Sequence, residues 1–157
     1  MMNQDPYSAL LMAYEQRLRP GAEAFELPRT QELKLDNHIV SLEFAPHPDG
    51  AEEGMVICRT DVFRFQEQAL DFVYRLLLQA NNMCAGTRGS TLGLRGTDMV
   101  MASMGRRIGS LDADALDALL RALCADAEIW RRRLSAHGQQ RSSPDTAQMS
   151  HMLEMRA

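Results

Sequence analysis

The sequence predicts an α+β fold, an antiparallel twisted sheet with helices packed on it, in the order α-β-β-β-α-β-β-α. Three observations carry that prediction. Short runs of alternating apolar and polar residues lie between residues 32 and 62 and again between 91 and 104. Two longer stretches, 65–80 and 116–134, repeat their apolar residues at helical spacing instead. Gly, Pro, Asn and Asp fall between these runs, where the chain must turn.

The first helix starts at Asp5-Pro6, because Asp5 caps free N–H groups and a proline costs no hydrogen bond in a first turn. Tyr7, Leu10, Leu11, Tyr14 and Leu18 share one face, and Pro20-Gly21 ends the element. Glu32-Leu33-Lys34-Leu35 alternates, Asp36-Asn37 turns the chain, and Val40, Leu42 and Phe44 form one face of the next strand. Residues 46–54, rich in Pro and Gly, read as a loop, and Met55 to Val62 as a third strand of a meander. Phe65, Ala69, Phe72, Val73, Leu76, Leu77 and Ala80 make the stripe of the second helix, with Leu70 and Leu78 outside it as surplus apolar surface. The strands Thr91–Leu94 and Met99–Met104 follow a Gly-rich segment. Ser110 or Asp112 caps the last helix, whose stripe is Leu116, Leu119, Leu120, Leu123, Ala127, Trp130 and Leu134. Asp112, Asp114 and Asp117 read as its solvated outer face, and Arg131–Arg133 suit the negative end of its dipole. The domain reading is one folded unit over 1–136, with a Gln- and Ser-rich tail over 137–157.

Composition narrows the function. Seventeen basic residues stand against 21 acidic ones, a net charge of −4, and the single lysine is Lys34. Nucleic-acid binding would call for clustered positive charge, so it is disfavoured. No run approaches a membrane span, and the N-terminal stretch has no basic region leading into an apolar one. Cys58, Cys84 and Cys124 are odd in number and lack CxxC spacing, which suits buried thiols in a reducing cytoplasm.

The sequence offers little catalytic chemistry. His38, His47, His137 and His151 have no spacing that would put two imidazoles on one metal. The glycines at 86, 89, 93 and 96 open into a strand and lack the Gly-Lys-Ser/Thr of a phosphate loop. No catalytic residue, metal or cofactor is therefore expected. The eleven methionines, Met99, Met101 and Met104 among them, fill cores but also suit surfaces that accept varied apolar partners.

Four segments carry a resemblance: Leu77-Leu78-Gln79-Ala80-Asn81, Gly89-Ser90-Thr91-Leu92-Gly93-Leu94, Leu111-Asp112-Ala113-Asp114-Ala115-Leu116 and Ala127-Glu128-Ile129-Trp130-Arg131. In that order and spacing the C-terminal half resembles the class I chaperones of type III secretion, the Tir chaperone (CesT-like) family. The N-terminal half agrees in element order. The resemblance implies a cytoplasmic bacterial homodimer without ATP binding, formed through the second helix and the short strand after it. Here that means Leu70, Leu78, Met83, Leu92 and Leu94. It also implies that an extended segment near the N-terminus of a secreted effector winds around the dimer, and it leaves room for a secretion-apparatus ATPase as a further partner. For effector binding the candidates are Leu10, Tyr14, Leu33, Leu35, Val40, Leu42 and Phe44. A strand has two faces, so the alternation alone does not say which one meets the partner. Two other readings stay open: a dimeric interaction adaptor without a secretion role, and a small enzyme with an unrecognised site.

Overall fold

The computed structural model describes residues 5–47, 50–65, 70–82 and 87–140, with side chains at all of these except 50–53, 70 and 137–140. Helix α1 (Pro6–Glu15) starts as its sequence requires: the Asp5 carboxylate accepts the Tyr7 N–H at 3.4 Å and Pro6 fills the first turn. Tyr7, Leu10, Leu11 and Tyr14 point inward. Two elements then appear that the residue pattern did not reveal, the edge strand β1 (Ala22–Ala24) and the single turn α2 (Leu27–Thr30). Both are too short to display a period. Glu26 and Gln31, on either side of α2, take left-handed backbone angles (φ 48° and 54°).

Strands β2 (Glu32–Leu35) and β3 (His38–His47) form the hairpin read from Asp36-Asn37, with Leu35 opposite His38 and Asp36 at φ 52°. Aspartate tolerates that conformation better than most residues. Strand β4 (Gly50–Arg64) pairs with β3 back to His47 opposite Gly50, so most of the expected loop at 46–54 is strand. The ladder shifts register between Ala45 and His47. That bulge seats Pro46, which has no N–H to give a regular ladder. Among the described residues helix α3 spans Leu70–Asn81, and residues 66–69 of its predicted stripe lie outside them; Phe65 is buried and donates its N–H to the Asp98 carbonyl at 2.9 Å. Strands β5 (Thr91–Arg95) and β6 (Met99–Arg107), a 3₁₀ turn (Ile108–Ser110) and α4 (Ala113–Gln140) complete the chain. Helix α4 runs past the boundary read at residue 136. Residues 141–157 lie outside the described residues.

The fold is α+β, with the six strands of the described residues in one antiparallel sheet ordered β1-β2-β3-β4-β6-β5. One face carries Leu33, Val40, Thr60, Ala102 and Leu92 in a row across five strands, with Leu42, Cys58 and Met104 beside it. Helices α1 and α4 pack on this core and on each other. Every residue of the predicted α4 stripe is buried. At roughly 25 cal/mol per Å² of apolar surface removed from water, such burial dominates the stabilisation.

Candidate functional site

Six of the seven residues read as effector contacts lie in the core: Leu10, Tyr14, Leu33, Leu35, Val40 and Leu42 are each less than a tenth exposed. Phe44 is half-buried, its ring stacked on Tyr7 with centroids 5.4 Å apart and filling the space that Gly54 leaves. The reason is the two-residue period of a strand. The apolar alternation is the one the helices cover, and a surface inside the core meets no partner. The opposite alternation, Ile39, Ser41 and Glu43, faces outward, and Ile39 is 67% exposed.

Large apolar side chains left in water fall into two sets. Phe25 (73% exposed), Ile39 and Met55 (42%) belong to the β1 end and the outer sheet face. Tyr74 (41%) and Leu78 (73%) lie on α3. Phe25 follows β1 directly and was missed in the sequence because an isolated aromatic between two turns has no periodicity.

The outer sheet face mixes apolar and charged side chains. Ion pairs Lys34–Glu23 (3.3 Å) and Arg59–Glu43 bridge neighbouring strands, and Arg95–Asp61 reaches from β5 across β6 to β4. Between them is a shallow depression of about 690 Å³ lined by Ile39, Ser41, Arg59, Asp61, Arg95 and Met101. Two glycines open gaps that thioethers cover: a Cβ on Gly105 would come within 2.8 Å of Met55 Cε, and one on Gly93 within 4.0 Å of Met101 Cγ. Flexible methionines over such gaps can re-pack around different apolar groups.

The two edges of the sheet differ. At β5, the Asn81 side chain acts as a substitute strand, donating to the Leu92 carbonyl at 2.7 Å and accepting the Leu92 N–H at 2.9 Å. At the other edge, β1 pairs only with β2 among the described residues. Of the residues read as the dimer face, Leu78 is exposed and Leu94 half-buried, while Leu92 points into the core. Leu70 opens α3 with its side chain outside the described set, and Met83 lies outside the described residues.

The polar interior holds structure together. Asp117, read as a solvated position, is buried: it accepts the Tyr14 hydroxyl at 3.2 Å and the Arg121 Nε–H at 2.9 Å. This joins α1 to α4, and burial together with the Asp117 charge pushes the Tyr14 phenol well above its usual range. Asp126, also buried, accepts the Ser90 hydroxyl and the Arg88 backbone N–H, which pins the 87–90 segment to α4. Ala113, Asp117, Leu120 and Cys124 are spaced 4, 3 and 4, as are Leu119, Leu123, Asp126 and Trp130. Both carboxylates thus fall inside the apolar stripe, and that spacing is the signal that could have found them. Asp112 and Asp114 are exposed; Asp112 caps α4 by accepting the Ala115 N–H at 2.8 Å. Burial pushes the Cys58 thiol up to about 12 and the Cys124 thiol up to about 11, the reverse of nucleophile activation. Among the described residues no three His, Cys, Asp or Glu side chains gather in a metal-binding group, and no helix is long and apolar enough to cross a membrane.

A model of the Tir chaperone protein (CesT) family matches residues 31–131. Among solved structures the chain is similar to the Yersinia pestis type III secretion chaperone SycH, crystallised with a stable fragment of YscM2. The two are 17% identical with a TM-score of 0.47, over 77% of this chain and 96% of that one. It is similar also to a chain of the ExsC–ExsE complex, at 17% identity and a TM-score of 0.49, over 84% of this chain and 96% of that one. No curated protein matches the sequence.

Proposed function

We propose that this chain, which belongs to the Tir chaperone protein (CesT) family, is a type III secretion chaperone that works as a homodimer in the bacterial cytoplasm, holding the N-terminal chaperone-binding segment of one or more effectors in extended form. It does so without catalysis, nucleotide or cofactor. The observation that supports this reading is that the exposed large apolar side chains among the described residues lie on different elements, Tyr74 and Leu78 on α3 and Phe25, Ile39 and Met55 on the β1 end, β3 and β4. A chaperone that is both a dimer and a holder needs two such surfaces.

Tyr74 and Leu78 on α3, with Leu94 nearby on β5, serve self-association. Phe25, Ile39 and Met55 serve the client, in place of the buried residues of the apolar alternation. An extended segment gains main-chain hydrogen bonds by adding to a free sheet edge, and side-chain contacts give it register. Among the described residues edge β1 pairs only with β2, apart from the Ala22 N–H given to the Arg19 carbonyl at 3.0 Å, whereas the Asn81 side chain occupies the Leu92 backbone groups of β5. Each anchor moved from water into contact contributes roughly 1.5–3 kcal/mol, so a few suffice for a complex that must later release its client. Delivery to a secretion-apparatus ATPase is a further step of the same reading.

Hydrogen exchange on the chaperone with and without an effector N-terminal segment tests it. Amides of Glu23 and Ala24 should slow on client binding, in the presence of EDTA and without nucleotide. Unchanged exchange at β1 alongside full binding removes strand addition, and a requirement for nucleotide or metal overturns the passive holder.

A further inference from the structure

On the helix-covered side of the sheet, α4 and β6 leave a groove of about 350 Å³. Its apolar lining includes Met104, Leu111 and Leu119, with Ala115, Ala118 and Ala122 presented by α4. Arg88 and Arg106, both exposed, stand at its rim. Neither has a carboxylate partner among the described residues. Arg88 gives only its backbone N–H to Asp126, and the Arg106 guanidinium reaches the Gly105 carbonyl at 3.3 Å. Most other described cations are committed, Arg59, Arg95 and Arg121 among them. In a chain of net charge −4, two guanidinium groups with no described carboxylate partner put positive charge at the rim of an apolar slot, with the buried Asp126 carboxylate beneath Arg88.

We infer that this groove is a second protein-docking surface, which takes a short acidic and apolar segment of a partner protein. The alanines leave room for one or two apolar side chains against α4, and each guanidinium can meet a carboxylate through two N–H donors. Charge complementarity sets the class of partner, since a basic segment would be repelled by the same two arginines. Position sets its use. Three strands separate β1 from β6, so the groove lies about 19 Å across the sheet from the open edge and on the opposite face. A segment seated here leaves Phe25 and Ile39 free, and therefore recognises the chaperone whether or not a client is bound. The groove itself does not depend on where the client sits.

A displayed library of random peptides, selected on the full chain and followed by fluorescence anisotropy of the enriched sequences, tests the inference. Enriched peptides should carry two or more Asp or Glu beside Leu, Met or Phe, and should weaken as salt rises. Their affinity should fall at least tenfold for Arg88→Glu/Arg106→Glu and for Ala118→Trp, which fills the slot without changing charge, and stay unchanged for Ile39→Asp. Circular dichroism melts confirm that each variant is folded. Peptides without acidic residues, or binding indifferent to both groove variants, would overturn the proposal. Binding lost in Ile39→Asp would place the peptides at the client surface and overturn it too. Markedly tighter binding after deletion of residues 141–157, which include Asp145 and Glu154, would make the chain itself the occupant and equally reject a partner.

Discussion

Burial sets the chemistry of individual side chains in this protein. The Cys58 and Cys124 thiols are raised above their ordinary value of 9 because a thiolate would lose its hydration in the core. A raised thiol pKa favours the neutral form in the folded state. The resulting stability is complete below pH 9 and is lost as pH climbs through about 11 to 12. Iodoacetamide at pH 8, with sites mapped by mass spectrometry, should leave both thiols unmodified in the folded protein and label them fully in urea. Native labelling at the rate of a free thiol would contradict their burial. Asp117 provides a second test. Removing its carboxylate leaves the Tyr14 hydroxyl unpaired in the core and frees the partly exposed Arg121. Asp117→Ala should therefore cost about 2–3 kcal/mol in urea unfolding, with Tyr14→Phe nearer 1 kcal/mol because the Arg121 pairing survives.

At the scale of elements, the helices were the most legible. The spacing of Leu116, Leu119, Leu120 and Leu123 can be satisfied by one buried helix face only, and α4 follows it. The strands were legible as strands, but their facing was not. Leu33, Leu35, Val40 and Leu42 define an apolar face equally well whether helices or a client cover it, and the period of two does not choose. Strand β1 and helix α2 carried no signal at all, since three or four residues complete no repeat. The edge device at β5 was likewise hidden, because Asn81 pairs with Leu92 through geometry rather than spacing. Replacing it tests the device: Asn81→Ala frees one N–H and one C=O at a sheet edge. A loss of about 1–2 kcal/mol is expected, with more scattering at high concentration as the bared edge recruits other chains. Unchanged stability and scattering would mean that Asn81 protects nothing.

At the scale of the whole molecule, the proposed chaperone uses one surface for self-association and another for its client. The proposed self-association surface predicts a particle of twice the 17.6 kDa protomer mass by light scattering. Leu78→Asp should shift it to monomer or aggregate, because a charge in a closed apolar interface loses its hydration. A monomer in the unmodified protein at micromolar concentration would remove the dimer. The central claim is that the client meets Phe25 and the outward alternation at Ile39 rather than the alternation at Val40 and Leu42. Calorimetric titration of an effector N-terminal segment into the Phe25→Asp/Ile39→Asp variant tests it most directly. The account predicts affinity at least tenfold weaker, since 1.4 kcal/mol is a factor of ten and each anchor contributes more than that, with melting temperature and particle mass unchanged. Undiminished affinity in that folded, dimeric variant would contradict it.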